Sequence, residues 1–209
     1  MSISISSDEI HEIVHRIVNN TLDMKSTPAN TPPPSESTAA SQNVADLSQH
    51  KPAEKRIVAI GTDHGGVDLK EVLKQNLIDN GYPVTDCGTH TKDSVDYPDI
   101  ALSVAELVAS GRAWRGVIID GAGIGSCMVA NKVPGVRASL CYDYATAVNS
   151  REHNDANVLT LGAGLIGINL AKLILNTWLS TEFGGGRHAR RVDKLIAIEK
   201  SFLKDGKTL

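Results

Sequence analysis

The segment IDGAGIGSCMVANK, residues 119–132, sets Asp120 at the end of an apolar run and follows it at once with Gly121, Gly123 and Gly125. The apolar GVII before it (116–119) has the composition of a buried strand and SCMVANK after it that of a helix, so the glycines fall in a strand-to-helix turn. Backbone N–H groups in such a turn, together with the partial positive charge of a helix start, make a place to hold an anion. A carboxylate beside that place is suited to act as a general base on a negatively charged substrate. Three further clusters carry chemistry. IGTDHGG (60–66) closes another apolar run with Asp63 and His64, a carboxylate and an imidazole fit for bonding polyol hydroxyls and for proton transfer near neutral pH. SREHNDAN (150–157) holds His153 and Asn154 just before a further apolar run. GGGRHARR (184–191) sets Arg187 and Arg191 one helical turn apart, a spacing at which two guanidiniums can grip a phosphate through charge-assisted hydrogen bonds.

Two pattern matches point elsewhere and lose to their context. HEIVH (11–15) has the form of a zinc-protease helix, with His11 and His15 as ligands and Glu12 as base, but no third ligand or cleft accompanies it; it reads as the polar face of an amphipathic helix. GAGLIG (162–167) fits the dinucleotide fingerprint, yet the following helix leads into STEFGGGRH rather than a second apolar strand, so these glycines serve tight strand-to-helix packing. No metal and no cofactor is expected.

The elements that must position these groups alternate. Strands are expected at 56–63, 83–88, 116–121, 137–142 and 157–162, with helices at 66–81, 97–111, 125–132, 143–154, 165–180 and 188–203. Such alternation implies an α/β fold, a three-layer α/β/α Rossmann-like domain on a parallel sheet, with its ligand at the carboxyl ends of the strands. Ahead of this domain (56–209) stand two segments of different character. Residues 6–22 carry Ile10, Ile13, Val14, Ile17, Val18 and Leu22 along one helical face, giving a short amphipathic helix within 1–23. Residues 24–55 are rich in Pro, Ser, Thr and Ala, the composition of a flexible linker. A helix with nothing in its own chain to cover its stripe is expected to bind something else. The net charge of −3 argues against nucleic-acid and anionic-membrane partners, no run is long enough to span a membrane, and three widely spaced cysteines suit a reduced, cytoplasmic protein.

Taken in order, IGTDHGG, DYPDIA, GAGIGSCMVANKVPGVRA, SREHNDANVLTLG and GGRHARRV resemble the motifs of the ribose-5-phosphate isomerase B family, which also holds the galactose-6-phosphate isomerase subunits. The resemblance spans residues 56–204. It implies a Rossmann-like domain, a homodimer or dimer of dimers with active sites between subunits, no metal, and aldose–ketose isomerisation of a phosphorylated sugar, first of all ribose 5-phosphate to ribulose 5-phosphate. It further implies that Asp63 and His64 lie at the substrate, that His153 opens the sugar ring, and that Asn154 binds a substrate oxygen. Arg187 and Arg191 would hold the phosphate and Gly121, Gly123 and Gly125 the developing oxyanion. Many members carry a cysteine base where this chain has Asp120; others use a glutamate where it has Ser126. Ala122 replaces a usual hydroxyl residue and Gly164 a frequent phosphate-binding arginine. Asp120 is therefore the expected base, in preference to Cys127. A second reading makes the chain a non-catalytic sugar-phosphate-binding subunit that depends on a cysteine-bearing partner. The N-terminal helix and tether resemble the encapsulation peptides that carry enzymes into bacterial microcompartments, implying shell or cargo partners for residues 6–22 and a place in that lumen.

Overall fold

A computed structural model describes residues 56–203. The expected amphipathic helix at 6–22, its HEIVH segment and the expected linker at 24–55 lie outside them. The described residues form β1 (Val58–Thr62), α1 (Val67–Asp79), β2 (Val84–Asp86), α2 (Tyr97–Ala109), β3 (Arg115–Asp120), α3 (Ile124–Ala130), β4 (Ala138–Leu140), α4 (Tyr144–Glu152), β5 (Val158–Gly162), α5 (Ile168–Ser180) and α6 (Arg187–Leu203). The five strands are all parallel, in the order β2-β1-β3-β5-β4. The expected three-layer α/β/α architecture is what forms, and every element expected from residue 56 onward is present with ends within about three residues of those expected, β3, α3 and α6 beginning one residue earlier.

Period-two burial sets the layers. Val58 and Ile60, Val117 and Ile119, and Leu159 and Leu161 point to one face, where Leu69, Leu73 and Leu77 of α1 and Ile174, Leu175 and Trp178 of α5 close over them. Ala59, Ile118 and Val158 point to the other, against Ala101, Val104, Ala105 and Val108 of α2 and Ala130 of α3. Both faces are therefore dry, and β1, β3 and β5 are strands of almost wholly buried residues.

The chain steps from β1 outward to β2 and then returns past it to β3. A crevice consequently opens between the carboxyl ends of β1 and β3, the place where open parallel sheets bind ligands. At the opposite, amino edge, cations and indoles alternate in a ladder. Arg56 lies 4.7 Å from the Trp114 ring centroid, Arg115 lies 4.6 Å from Trp114 and 5.7 Å from Trp178, and Arg151 lies 5.7 Å from Trp178. Burial, reinforced by the Arg151 charge, pulls the Arg115 group down to about 10. α6 is amphipathic but largely uncovered: Val192 is its one buried residue, while Leu195, Ile198, Phe202 and Leu203 are exposed.

Candidate active site

Asp63 and Asp120 stand side by side. Thr62 is in register with Ile119, so the next residue of each strand lies at the mouth of the crevice, one inter-strand spacing of about 4.8 Å apart in the backbone. Both are buried. Asp63 uses Oδ1 to accept the N–H of Gly65 at 2.9 Å, which shapes the turn into α1. His64 follows on the exposed side of that turn, and its Nδ1 accepts a long bond of 3.4 Å from the N–H of Val95.

Asp120 is held much more completely. Its Oδ1 accepts the N–H of Ala122 at 2.8 Å and that of Gly123, and its Oδ2 accepts the N–H of Ser126 at 3.1 Å and the Ser126 hydroxyl at 2.5 Å. A carboxylate offers about four lone-pair directions, and all are filled. This changes one expected role. Gly123 does not offer its N–H to a bound anion, because its left-handed backbone (φ 77°) turns that amide inward to Asp120. No other residue fits there: a Cβ would lie 2.5 Å from the Leu140 side chain and 2.9 Å from the Leu161 backbone. The amides of Gly121 and Gly125 have no acceptor among the described residues, which leaves both available as donors. Gly125 itself lies flat against the Tyr97 ring, 2.6 Å from where its Cβ would stand.

The floor of the site is stitched to the next turn. The N–H groups of Ala163 and Gly164 donate to the carbonyls of Asp120 and Gly121 at 2.8 and 3.0 Å, and the Tyr142 hydroxyl donates to the Ala122 carbonyl at 2.5 Å. The backbone N–H of Gly164 is thus used in closing this turn. Cys127 faces away, its thiol donating to the Ala138 carbonyl at 3.6 Å beside β4.

The other expected residues gather at the opposite edge. α4 runs back from the end of β4, so His153 at its C-cap and Asn154 after it lie beside the amino end of β5. The N–H of Gly184 donates to the Glu152 carbonyl at 2.9 Å, which brings the start of α6, with Arg187 and Arg191, to the same place. There the His153 and His188 rings stack in parallel, 4.1 Å between centroids, and Asn149 Nδ2 lies 2.8 Å from His153 Nδ1. Asn154 Nδ2 donates to the Asn149 carbonyl at 3.3 Å and also lines a cavity of about 380 Å³ along β4 and α4. Desolvation, then the charges of His153, Arg187 and Arg191, holds the His188 imidazole below its ordinary value, as expected of a ring set among cations. Within one chain, then, the residues form two half-sites separated by the length of a strand, roughly 17 Å.

Tyr142 and Tyr97 were not singled out from the sequence, and Ser126 entered there only as the position where other members carry a glutamate, not as a partner of Asp120. Ser126 carried a usable signal, a hydroxyl residue in the first helical turn six residues after a strand-end aspartate; the Tyr142 contact joins residues twenty positions apart and left none.

Residues 58–195 match the profile of the family described as Ribose/Galactose Isomerase. The chain is 42% identical over 143 residues to ribose-5-phosphate isomerase B of Escherichia coli K12, covering 68% of this chain and 96% of that one. It is also 42% identical over 139 residues to D-erythrulose-4-phosphate isomerase of Pectobacterium atrosepticum, covering 66% and 91%. Among solved structures it resembles ribose-5-phosphate isomerase B of Clostridium thermocellum, with a TM-score of 0.69 and 52% identity over 70% of this chain and 99% of that one. The Mycoplasma genitalium ribose-5-phosphate isomerase B with bound ribulose-5-phosphate superposes with a TM-score of 0.67 at 38% identity, over 69% and 96%.

Proposed function

Because the chain belongs to the ribose/galactose isomerase family, we infer that it is an aldose–ketose isomerase that interconverts ribose 5-phosphate and ribulose 5-phosphate through an enediolate. The observation that carries this reading is the pair of half-sites: buried carboxylates with unpartnered amides among the described residues at one edge, and imidazoles with two arginines at the other. Two copies arranged antiparallel across a two-fold axis join one half-site of each. The phosphate then rests on Arg187 and Arg191 of one subunit while carbons 1 and 2 reach Asp63 and Asp120 of the other. The exposed apolar residues Leu195, Ile198 and Phe202 of α6 supply surface for such a pairing.

In this reading His153, with Asn154 beside it, assists ring opening. Asp120 moves the proton between the two carbons, and the amides of Gly121 and Gly125 stabilise the oxyanion that forms. For Asp120 to receive a proton, one of its four donors must leave. The Ser126 hydroxyl is the one that can, because it rotates about a single bond while the three amides are fixed in the turn. A direct assay of the purified full-length chain on pentose, tetrose and hexose phosphates tests the reading. Turnover of ribose 5-phosphate is expected; a folded protein inert toward all of them would favour the binding-subunit reading instead.

Residues 6–22 and their tether are the part of this proposal that concerns location. Their apolar stripe and the Pro/Ser-rich composition of 24–55 support delivery of the isomerase to a bacterial microcompartment, with shell or cargo proteins as the partners of the stripe. No helix among the described residues is long and apolar enough to cross a membrane.

A further inference from the structure

Lys70 lies on α1 and is fully buried, although lysine rarely is. Its ammonium sits among five acceptors: Asp86 Oδ1 and Oδ2 at 3.1 and 2.9 Å, Glu71 Oε1 at 3.0 Å, the Thr89 carbonyl at 3.1 Å and His90 Nδ1 at 3.3 Å. Glu71, Asp86 and His90 are close enough together to hold a metal ion, and the ammonium takes that place between them. A buried charge of this kind costs several kcal/mol unless it is well paired, and replacing a whole buried ion pair by apolar side chains is often no less stable. The lysine must therefore do something that an apolar side chain at the same position does not.

What it holds is the segment leaving β2. Asp86 ends that strand, Thr89 and His90 follow, and the N–H of Thr89 donates to the carbonyl of Thr62 at 3.1 Å, next to Asp63. The segment then runs on to Val95, whose N–H meets His64, and to Tyr97, whose ring lies against Gly125. Both halves of the crevice are thus touched by one loop; Lys74 also bonds Asp86 at 2.8 Å, but Lys70 is the ammonium that reaches Asp86, Thr89 and His90 together. We propose that Lys70 is a positioning residue for the isomerase: it clamps residues 86–90 against the end of β1, and through that loop sets His64 and Tyr97 over the crevice between Asp63 and Asp120. The proposal rests on the isomerase reading for its kinetic consequence and on geometry alone for its structural one.

Full-length Lys70→Met, Lys70→Arg and the double variant Lys70→Met with Asp86→Asn test it. Lys70→Met is expected to lower kcat/KM on ribose 5-phosphate roughly 10- to 100-fold per folded molecule, the scale of a displaced binding group. Amide exchange at Thr89 and Val95 should accelerate, and the ring-nitrogen NMR shifts of His64 should lose the signature of an acceptor at Nδ1. Lys70→Arg, which keeps the charge and several donors, should recover most of the activity. Should the single variant not fold, the double variant is measured in its place, because it leaves no underpaired carboxylate in the core; it should fold and show the same kinetic and spectroscopic losses. Wild-type kcat and KM in a folded Met variant, with unchanged exchange and an unchanged His64 signature, would overturn the proposal. If the unmodified protein turns over no sugar phosphate, the isomerase reading falls, while amide exchange and the His64 shifts still decide whether Lys70 clamps the loop.

Discussion

Asp120→Asn separates two jobs that this side chain can hold. An amide keeps the shape of the turn but offers one acceptor atom, so the Ser126 N–H is left facing an NH2 group; the loss in stability is expected to be about 1–3 kcal/mol. If Asp120 also moves the substrate proton, turnover per folded molecule falls by a further and larger factor, roughly 10²–10⁴. Ser126→Ala removes the mobile donor alone and should retain turnover within a few-fold, and Cys127→Ala, whose thiol faces β4, should be near wild type. Steady-state kinetics with denaturation midpoints on the same preparations decide the matter; an active Asp120→Asn would assign the proton to Asp63 and leave Asp120 as the anion that shapes the turn. The residue types of this site were readable from sequence, because strand-end aspartates beside glycines are visible as a pattern. That the first anion in the hole is Asp120 itself was not, since it depends on the sign of one φ angle at Gly123.

At the scale of elements, the strand-to-helix turn and the α1–β2 contact make opposite demands. Gly123→Ala forces a side chain into a left-handed conformation and against the Leu161 backbone, so a loss of more than ~1 kcal/mol is expected by chemical denaturation, with β3 and β5 still paired. The α1–β2 contact is electrostatic. Burial pushes the Asp86 carboxyl up, but hydrogen bonds from Lys74 and Lys70 and from the Gly88 N–H outweigh it and hold the group below its ordinary value. A carboxyl depressed in this way contributes stability above its unfolded value, near pH 4, and loses it as pH falls through the lower folded value. Thermal melts should therefore show wild type losing more than Asp86→Asn between roughly pH 5 and pH 2, the two curves converging at the acid end. Periodicity located these elements to within a few residues because both faces of the sheet are dry and the helices carry clear stripes. Lys70 escaped that reading because a lysine beside Leu69 is, in a sequence, a solvated residue; only the fold brings Asp86 to it.

At the scale of the whole molecule, the proposed pairing of two copies is what would join the two half-sites into one site. An Asp120→Asn protein and an Arg187→Ala protein, each nearly inactive, should regain about a quarter of wild-type activity when unfolded together and refolded as a mixture, because half of the random dimers hold one intact site. Absence of recovery, with mixed dimers verified by mass, would place both residues in one subunit's site. Removal of residues 1–50 should leave the isomerase folded and as active as before, whereas residues 1–24 fused to a fluorescent protein should be recruited to shells. Replacing Ile13 and Ile17 by Glu should end that recruitment by removing roughly 1.5–3 kcal/mol of burial per side chain. If truncation dissolves the dimer instead, the stripe belongs to the enzyme's own assembly.

The cation–indole ladder gives the protein an optical asymmetry. The chain has two tryptophans, Trp114 and Trp178, and both belong to the amino edge, between guanidiniums. Tryptophan emission therefore comes from the side of the sheet where Arg187 and Arg191 lie, and none of it from the side to which the carbon chemistry is proposed to belong. A change in emission on adding inorganic phosphate would register occupancy of the arginine half alone, so binding of the phosphate and turnover of the sugar can be followed in one cuvette as separate signals.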